Sequence, residues 1–140
     1  MNMSNELAHT LRQTVLHLAR RVRAERADAS MSDGKLSVLF VLMNEGAQTL
    51  GSLSEHERVT PPSMNRTINA LVEQGFVTRE SDATDGRKVV IDISDAGRRL
   101  VKETRRRRDA WFSSRLAALS PDDRATLDAA APILRRLADQ

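Results

Sequence analysis

A change of hydrophobic period part-way along the 140-residue sequence constrains its fold more than any other feature. As far as Gln74, apolar residues recur at three- and four-residue steps, the spacing of one helix face. Two short runs follow, Phe76-Val77-Thr78-Arg79-Glu80 and Val89-Val90-Ile91-Asp92-Ile93, which read as strands. Between them SDATDGRK is polar and turn-rich, with Asp85-Gly86 inside it. The pair is therefore expected to form a β-hairpin with a long, charged tip. After Ser94 the helical spacing returns.

Four helices are expected ahead of the hairpin. The first covers about Asn5 to Arg26, where Leu7, Leu11, Val15, Leu18 and Val22 form one stripe on an otherwise polar surface. Such a stripe must be buried against something. Ala27 to Gly34 reads as a loop. The second helix, about Lys35 to Glu45, is apolar on every side, which makes it a core helix, and Gly46 is placed to end it. A short third helix, about Leu50 to Arg58, follows a cap at Thr49. At Val59-Thr60-Pro61-Pro62, Thr60 suits an N-cap and the prolines fit a first turn, where no amide hydrogen is missed. That fourth helix runs to about Gln74 and stops at Gly75.

Behind the hairpin, Ser94 can cap a fifth helix reaching about Leu119. Its middle, Lys102 to Asp109, has no apolar residue, the pattern of a helix that bridges two packed bodies. Beyond it Trp111, Phe112, Leu116 and Leu119 are apolar again. Ser120-Pro121-Asp122-Asp123 starts the last helix, with a stripe of Leu127, Ala130, Leu134 and Leu137. Pro132 lies inside that stripe and is expected to kink or interrupt it.

Composition narrows the function classes. The chain has no Cys, which removes disulfides, thiolate metal sites, thiol nucleophiles and cysteine redox sensing. His9 and His17 stand eight residues apart on one helix, too far to share a metal, and His56 is remote in sequence, so single satisfied histidines are the simpler reading and no metal is expected. No Gly-rich phosphate loop and no suggestive Ser/His/Asp order occurs, so an enzyme is not expected. Met1 to Thr10 lacks a secretory pattern, and no apolar run approaches the ~20 residues that cross a bilayer. A soluble, cytoplasmic protein without a membrane partner is the expectation. Net charge is only +3, yet 19 of the 22 basic residues are Arg, whose planar fork of donors fits phosphates and guanine edges.

The fourth helix carries the candidate chemistry. Met64, Ile68, Leu71 and Val72 are expected to face the core. Pro62, Arg66, Asn69 and Glu73 lie opposite, with Ser63 and Asn65 flanking them. Arg can bond guanine O6 and N7 with two parallel bonds, Asn can do the same to adenine, and Ser suits a base edge or a phosphate. The helix N-terminus adds partial positive charge toward phosphates. Taken alone, Arg66 and Asn69 more ordinarily form a solvated face; the hairpin that follows shifts the balance to the groove reading. Its tip offers Arg87 and Lys88, suited to a narrow minor groove, while Asp85 could hold the Arg87 guanidinium by a charge-assisted bond. The order helix, helix, helix, hairpin is that of a winged helix-turn-helix.

The stretch from about Lys35 to Val101 resembles the multiple-antibiotic-resistance regulator (MarR) family. The residues that carry the resemblance are VTPPSMNRTINALVEQGFVTRE, the wing DATDGRKVVIDIS with its Asp85-Gly86-Arg87, and DAGRRL. Ser94 to Gly97 stands as Ser-x-x-Gly where the family commonly has Thr-x-x-Gly. The order of the flanking helices extends the resemblance to nearly the whole chain. It implies a mainly α fold with a small β-hairpin wing: residues 31–99 as the DNA-binding lobe, residues 1–30 and 100–140 as a helical dimerisation region. It further implies a homodimer that represses transcription from pseudo-palindromic double-stranded DNA. Many members release DNA when a small aromatic or phenolic ligand enters a crevice between the dimer body and the winged lobe.

The expected DNA-contacting set is Thr60, Pro62, Ser63, Asn65, Arg66, Asn69, Arg79, Asp85, Arg87 and Lys88. For a ligand crevice, His17, Phe40 and Met43 are candidates, each also readable as plain core or surface. No cofactor is expected. Glu57 departs from the family, which commonly has a Leu there, and this unsettles the placement of the third helix. The run Arg105 to Arg108 could touch DNA backbone or an acidic partner, although a solvated helix face is its more ordinary reading. Two rival functions stand beside the repressor: a winged-helix module for protein contact, and an architectural DNA-binding protein without sequence preference.

Overall fold

Helix starts in this chain are set by side chains. In the computed structural model, which describes residues 2–81, 84 and 86–140, six described helices each begin behind a polar residue whose side chain accepts a hydrogen bond from a first-turn amide. Asn2 caps α1 (Met3–Ala24) and Ser32 caps α2 (Asp33–Glu45). Thr49 caps α3 (Leu50–Glu57) and Thr60 caps α4 (Pro61–Glu73). Ser94 caps α5 (Asp95–Ala117) and Ser120 caps α6 (Pro121–Asp139). Each such cap stabilises its helix by about 1 kcal/mol relative to alanine. The helices expected from Asn5 and Lys35 start two residues earlier than their apolar stripes suggested, because Asn2 and Ser32 reach their amides.

Helix ends are equally local. Gly46 and Gly75 sit at φ +86° and +81°, a conformation that closes α2 and α4 without a Cβ penalty. Arg58, expected inside α3, instead adopts φ +55° and terminates it. Pro132 does not interrupt α6, which is a single helix on both sides of it. No described helix is long and apolar enough to cross a membrane.

The hairpin forms as expected, from β2 (Val77–Ser81) and β3 (Val89–Ile93), with Val77 opposite Ile93 and Ser81 opposite Val89. A further strand, β1 (Gln48–Thr49), pairs on the other side of β3, giving an antiparallel sheet in the order β1-β3-β2. Two residues are too few to show a period, so no pattern announces it. The core lies between Met31 and Val101, where Leu36, Leu39, Leu42, Leu53, Met64, Ile68, Leu71 and Ile91 are essentially sealed from solvent. Val72, expected in the core, is 39% exposed. At ~100° per residue it stands about 40° further round α4 than Ile68, past the edge of the buried stripe.

Two joints fix the wing and the long helix to this core. Ser94 donates its hydroxyl to the Gly75 carbonyl (2.6 Å) and accepts from the Gly97 amide (3.1 Å), while its own amide donates to the Phe76 carbonyl. A Cβ at Gly97 would lie 2.3 Å from that same Phe76 oxygen and 2.7 Å from Ile93 Cγ1, which explains the Ser-x-x-Gly spacing. The second joint lies in the polar middle of α5. Thr104 is fully buried and accepts from the Ala27 amide (3.2 Å). Arg107 donates to the Arg26 carbonyl, and Arg108 to the carbonyls of Glu25 and Arg23. Arg105 reaches Asn44 Oδ1 at 2.5 Å. The arginine run is thus a solvated face only in part: Arg106 and Arg107 are exposed, but Arg107 and Arg108 satisfy carbonyls that the end of α1 leaves without partners, and Arg105 holds the Asn44 side chain of α2.

Candidate nucleic-acid interface

Met64, Ile68 and Leu71 anchor α4 to the core and turn its opposite side outward. Thr60, Pro62, Arg66 and Asn69 are exposed, and Ser63 and Asn65 half-buried. No hydrogen bond or ion pair holds Arg66 among the described residues, which leaves its five donors for an external acceptor. The helix N-terminus is less generous than its sequence suggested. Pro61 and Pro62 carry no amide hydrogen, and the Ser63 amide already donates to Thr60 Oγ1 (3.3 Å). An approaching phosphate therefore meets the helix dipole but no free amide in these first three positions.

Arg79, on β2, points back under α4. Its Nη2 donates to Asn65 Oδ1 (2.8 Å) and to Asn69 Oδ1 (2.6 Å). The i, i+4 spacing of the two asparagines puts both oxygens within reach of one nitrogen. On the wing, Arg87 and Lys88 are exposed as the chain enters β3, and Lys88 shares a shallow depression with Thr49, Leu50 and Gly51 at the start of α3. Asp85, the expected partner of Arg87, lies outside the described residues. The structure thus gathers Ser63, Asn65, Arg66, Asn69 and Arg79 on one face and sets the wing cations beside the sheet.

Residues 31–89 match the model of the MarR family. An HTH-type transcriptional regulator of Mycobacterium leprae is 43% identical over 134 residues, covering 96% of this chain and 94% of that protein. The chain belongs to the MarR family. It is a DNA-binding transcriptional regulator of the winged helix-turn-helix type. The crystal structure of a transcriptional regulator from Pseudomonas aeruginosa superposes with a TM-score of 0.89 at 30% identity, covering 100% of this chain and 99% of that one. A more distant match in fold is BpsR of Bordetella bronchiseptica, with a TM-score of 0.67, 21% identity, and 100% and 98% of the two chains covered. Its structure is described as showing how 6-hydroxynicotinic acid regulates DNA binding by that protein.

This MarR-family chain has a crevice of about 360 Å³ between the end of α1, the start of α2, the last turn of α3 and the middle of α5. Leu36 and Phe40 supply its apolar wall, Arg23 and Arg108 its cations, Ser37 and Glu57 a hydrogen-bonded pair at 2.6 Å. Glu57 is accordingly part of α3, and a carboxylate is tolerated there because the Ser37 hydroxyl donates to it. The Arg108 guanidinium lies 5.4 Å from the centre of the Phe40 ring, and Arg105 approaches the same ring at 5.3 Å. Burial, and then the charge of Arg26, pull the Arg108 pKa below its ordinary value. Of the sequence candidates, Phe40 lines this crevice, Met43 packs against the core, and His17 is exposed on α1. Arg108 was hidden in the sequence within a run of four like charges, and Glu57 was visible only as a departure from the family.

Proposed function

We propose that the protein is a cytoplasmic, homodimeric repressor that reads a pseudo-palindromic operator and leaves it when a small aromatic or phenolic ligand fills the Phe40–Arg108 crevice. The exposed face of α4, with Arg66 held by no described residue, carries this reading, and the exposed cations at the start of β3 support it. Two such helices in a dimer would enter successive major grooves about 34 Å apart. Residues 31–99 would form the DNA-binding lobe. Residues 1–30 and 100–140 would form the dimer body, where Leu11, Val15, Leu134 and Leu137 line one apolar groove. In the crevice, whose two arginines are matched by Asp33 and Glu57, a ring would stack beside Phe40 and an acidic group would sit on the side of Arg108 and Arg23, in keeping with the aromatic acid that regulates BpsR.

Fluorescence-anisotropy titrations test the docking. Arg66→Ala is expected to relax preference at one base position, by about 1–3 kcal/mol, whereas Arg87→Ala weakens binding to all sequences and lowers the salt slope. Equal affinity for shuffled duplexes would favour the architectural protein instead. Binding no stronger than the salt-sensitive background would favour the protein-contact module.

A further inference from the structure

Arg79 does more than border the interface. Both N–H groups of its Nη2 are committed, one to Asn65 Oδ1 at 2.8 Å and one to Asn69 Oδ1 at 2.6 Å. Bonds from a guanidinium to a neutral oxygen are shorter and stronger than amide–amide bonds. They also fix the sense of each carboxamide, because the reverse orientation would set an NH2 group against a cationic donor. Both oxygens therefore face β2, and both Nδ2 groups face away from it. With Arg66 between them and the Ser63 hydroxyl at the edge, the groove-facing side of α4 is rich in donors and poor in acceptors as far as Glu73.

We propose that Arg79 is a specificity-determining positioning residue: by holding the two amide oxygens it converts Asn65 and Asn69 into donor groups that select keto-bearing bases. Guanine shows O6 and N7 acceptors in the major groove and thymine shows O4, whereas adenine and cytosine place an amino donor at the corresponding position. Bidentate reading of adenine by an asparagine needs its oxygen to accept from N6. Here each oxygen already accepts from Arg79, so adenine N6 would have to compete for the second lone pair of an oxygen that the guanidinium holds toward β2. The adenine preference that asparagine alone suggests is thereby reversed. The inference rests on the operator-reading function proposed above.

Selection of bound duplexes from a randomised pool, by the full-length protein and by Arg79→Met, tests it. Asn65→Ala and Asn69→Ala mark which base positions those side chains face. At these positions the wild-type protein is expected to select guanine or thymine. Arg79→Met should shift them toward adenine, on the order of tenfold in relative affinity, with the Arg66 position unchanged. Adenine or cytosine in the wild-type motif, or the same motif from Arg79→Met, would overturn the proposal while leaving the repressor reading intact. So would a uniform loss of affinity with a salt slope reduced by about one, which would make Arg79 a phosphate contact. A wild-type pool without any enriched motif would overturn the repressor reading and this proposal with it. Because Arg79 is exposed, melting of the variant should match the wild type.

Discussion

The lobe from Met31 to Val101 and the two end helices are built from the same aliphatic alphabet, yet they end in opposite states. Every buried hydrophobic among the described residues lies in the lobe. Neither α1 nor α6 contributes one: Leu7, Leu11, Val15 and Leu18 on α1, and Leu127, Leu134 and Leu137 on α6, remain between 38% and 59% exposed. The lobe closes on itself because three helices and a sheet surround α2. Both end helices are long, α1 touches the rest of the chain mainly through α5, and the stripes of α1 and α6 flank open apolar grooves that the chain itself leaves unfilled. Full burial of one such side chain is worth about 1.5–3 kcal/mol, so the stripes favour association strongly. Identical periodicity thus marks a sealed core in one region and exposed apolar stripes in the other, and the arginine-rich middle of α5 is the joint between them.

The most severe test of this contrast is Leu11→Glu combined with Leu134→Glu. It is expected to reduce a dimer to a 15.6 kDa monomer in sedimentation, to leave the lobe folded, and to lower operator affinity on the order of a hundredfold through loss of the second half-site. A dimer that survives would refute the interface. The same charge at Ile68 should instead unfold the lobe, visible in near-UV and thermal melts. Next in size is Gly97→Ala, which forces a methyl against the Phe76 carbonyl. It should destabilise the lobe by about 1–3 kcal/mol in urea denaturation, with the dimer mass unchanged. Thr104→Val removes the acceptor of the Ala27 amide at the joint and should cost about 1 kcal/mol, read from the same denaturation curves.

The smallest effect concerns pH. Glu103, bonded by Arg106 and then Arg107, titrates at about 2 instead of 4.5. A carboxylate with a lowered folded pKa stabilises above its unfolded pKa and loses that contribution as pH falls toward the folded value. Melting of the wild type should therefore carry a component that fades between about pH 4.5 and 2, and Glu103→Gln should lack it. The wild type should therefore melt slightly above the variant at neutral pH, by little because the pair is exposed and screened, and the two should converge as pH approaches 2.

Much of the architecture was legible because it is locally encoded. Thr49, Thr60, Ser94 and Ser120 fixed four helix starts, and α1 and α2 were misplaced by two residues where Asn2 and Ser32 went unrecognised as caps. β3 was read to the residue, since alternation and the polar tip bound it on both sides. β1 was invisible because a two-residue strand has no period and exists only by pairing with β3. Val72 was misassigned because the width of a buried stripe depends on what packs against it. Of the interface, Ser63, Asn65, Arg66, Asn69 and Arg79 were named from residue type and position. The bond from Arg79 to both asparagines was not, because it joins a strand to a helix across 10 and 14 positions.

The order of elements, the caps and the outward face of α4 were written in the sequence, since each depends on residues within about four positions of one another. Folding alone decided the partners. Arg79 meets residues 10 and 14 positions away, Thr104 meets Ala27 across 77 positions, and Arg108 reaches Glu25 across 83. Such contacts form only once packing brings distant segments together, because no periodicity links residues so far apart. That is why the sequence could say which side chains face outward but not that one arginine would set what two of them present.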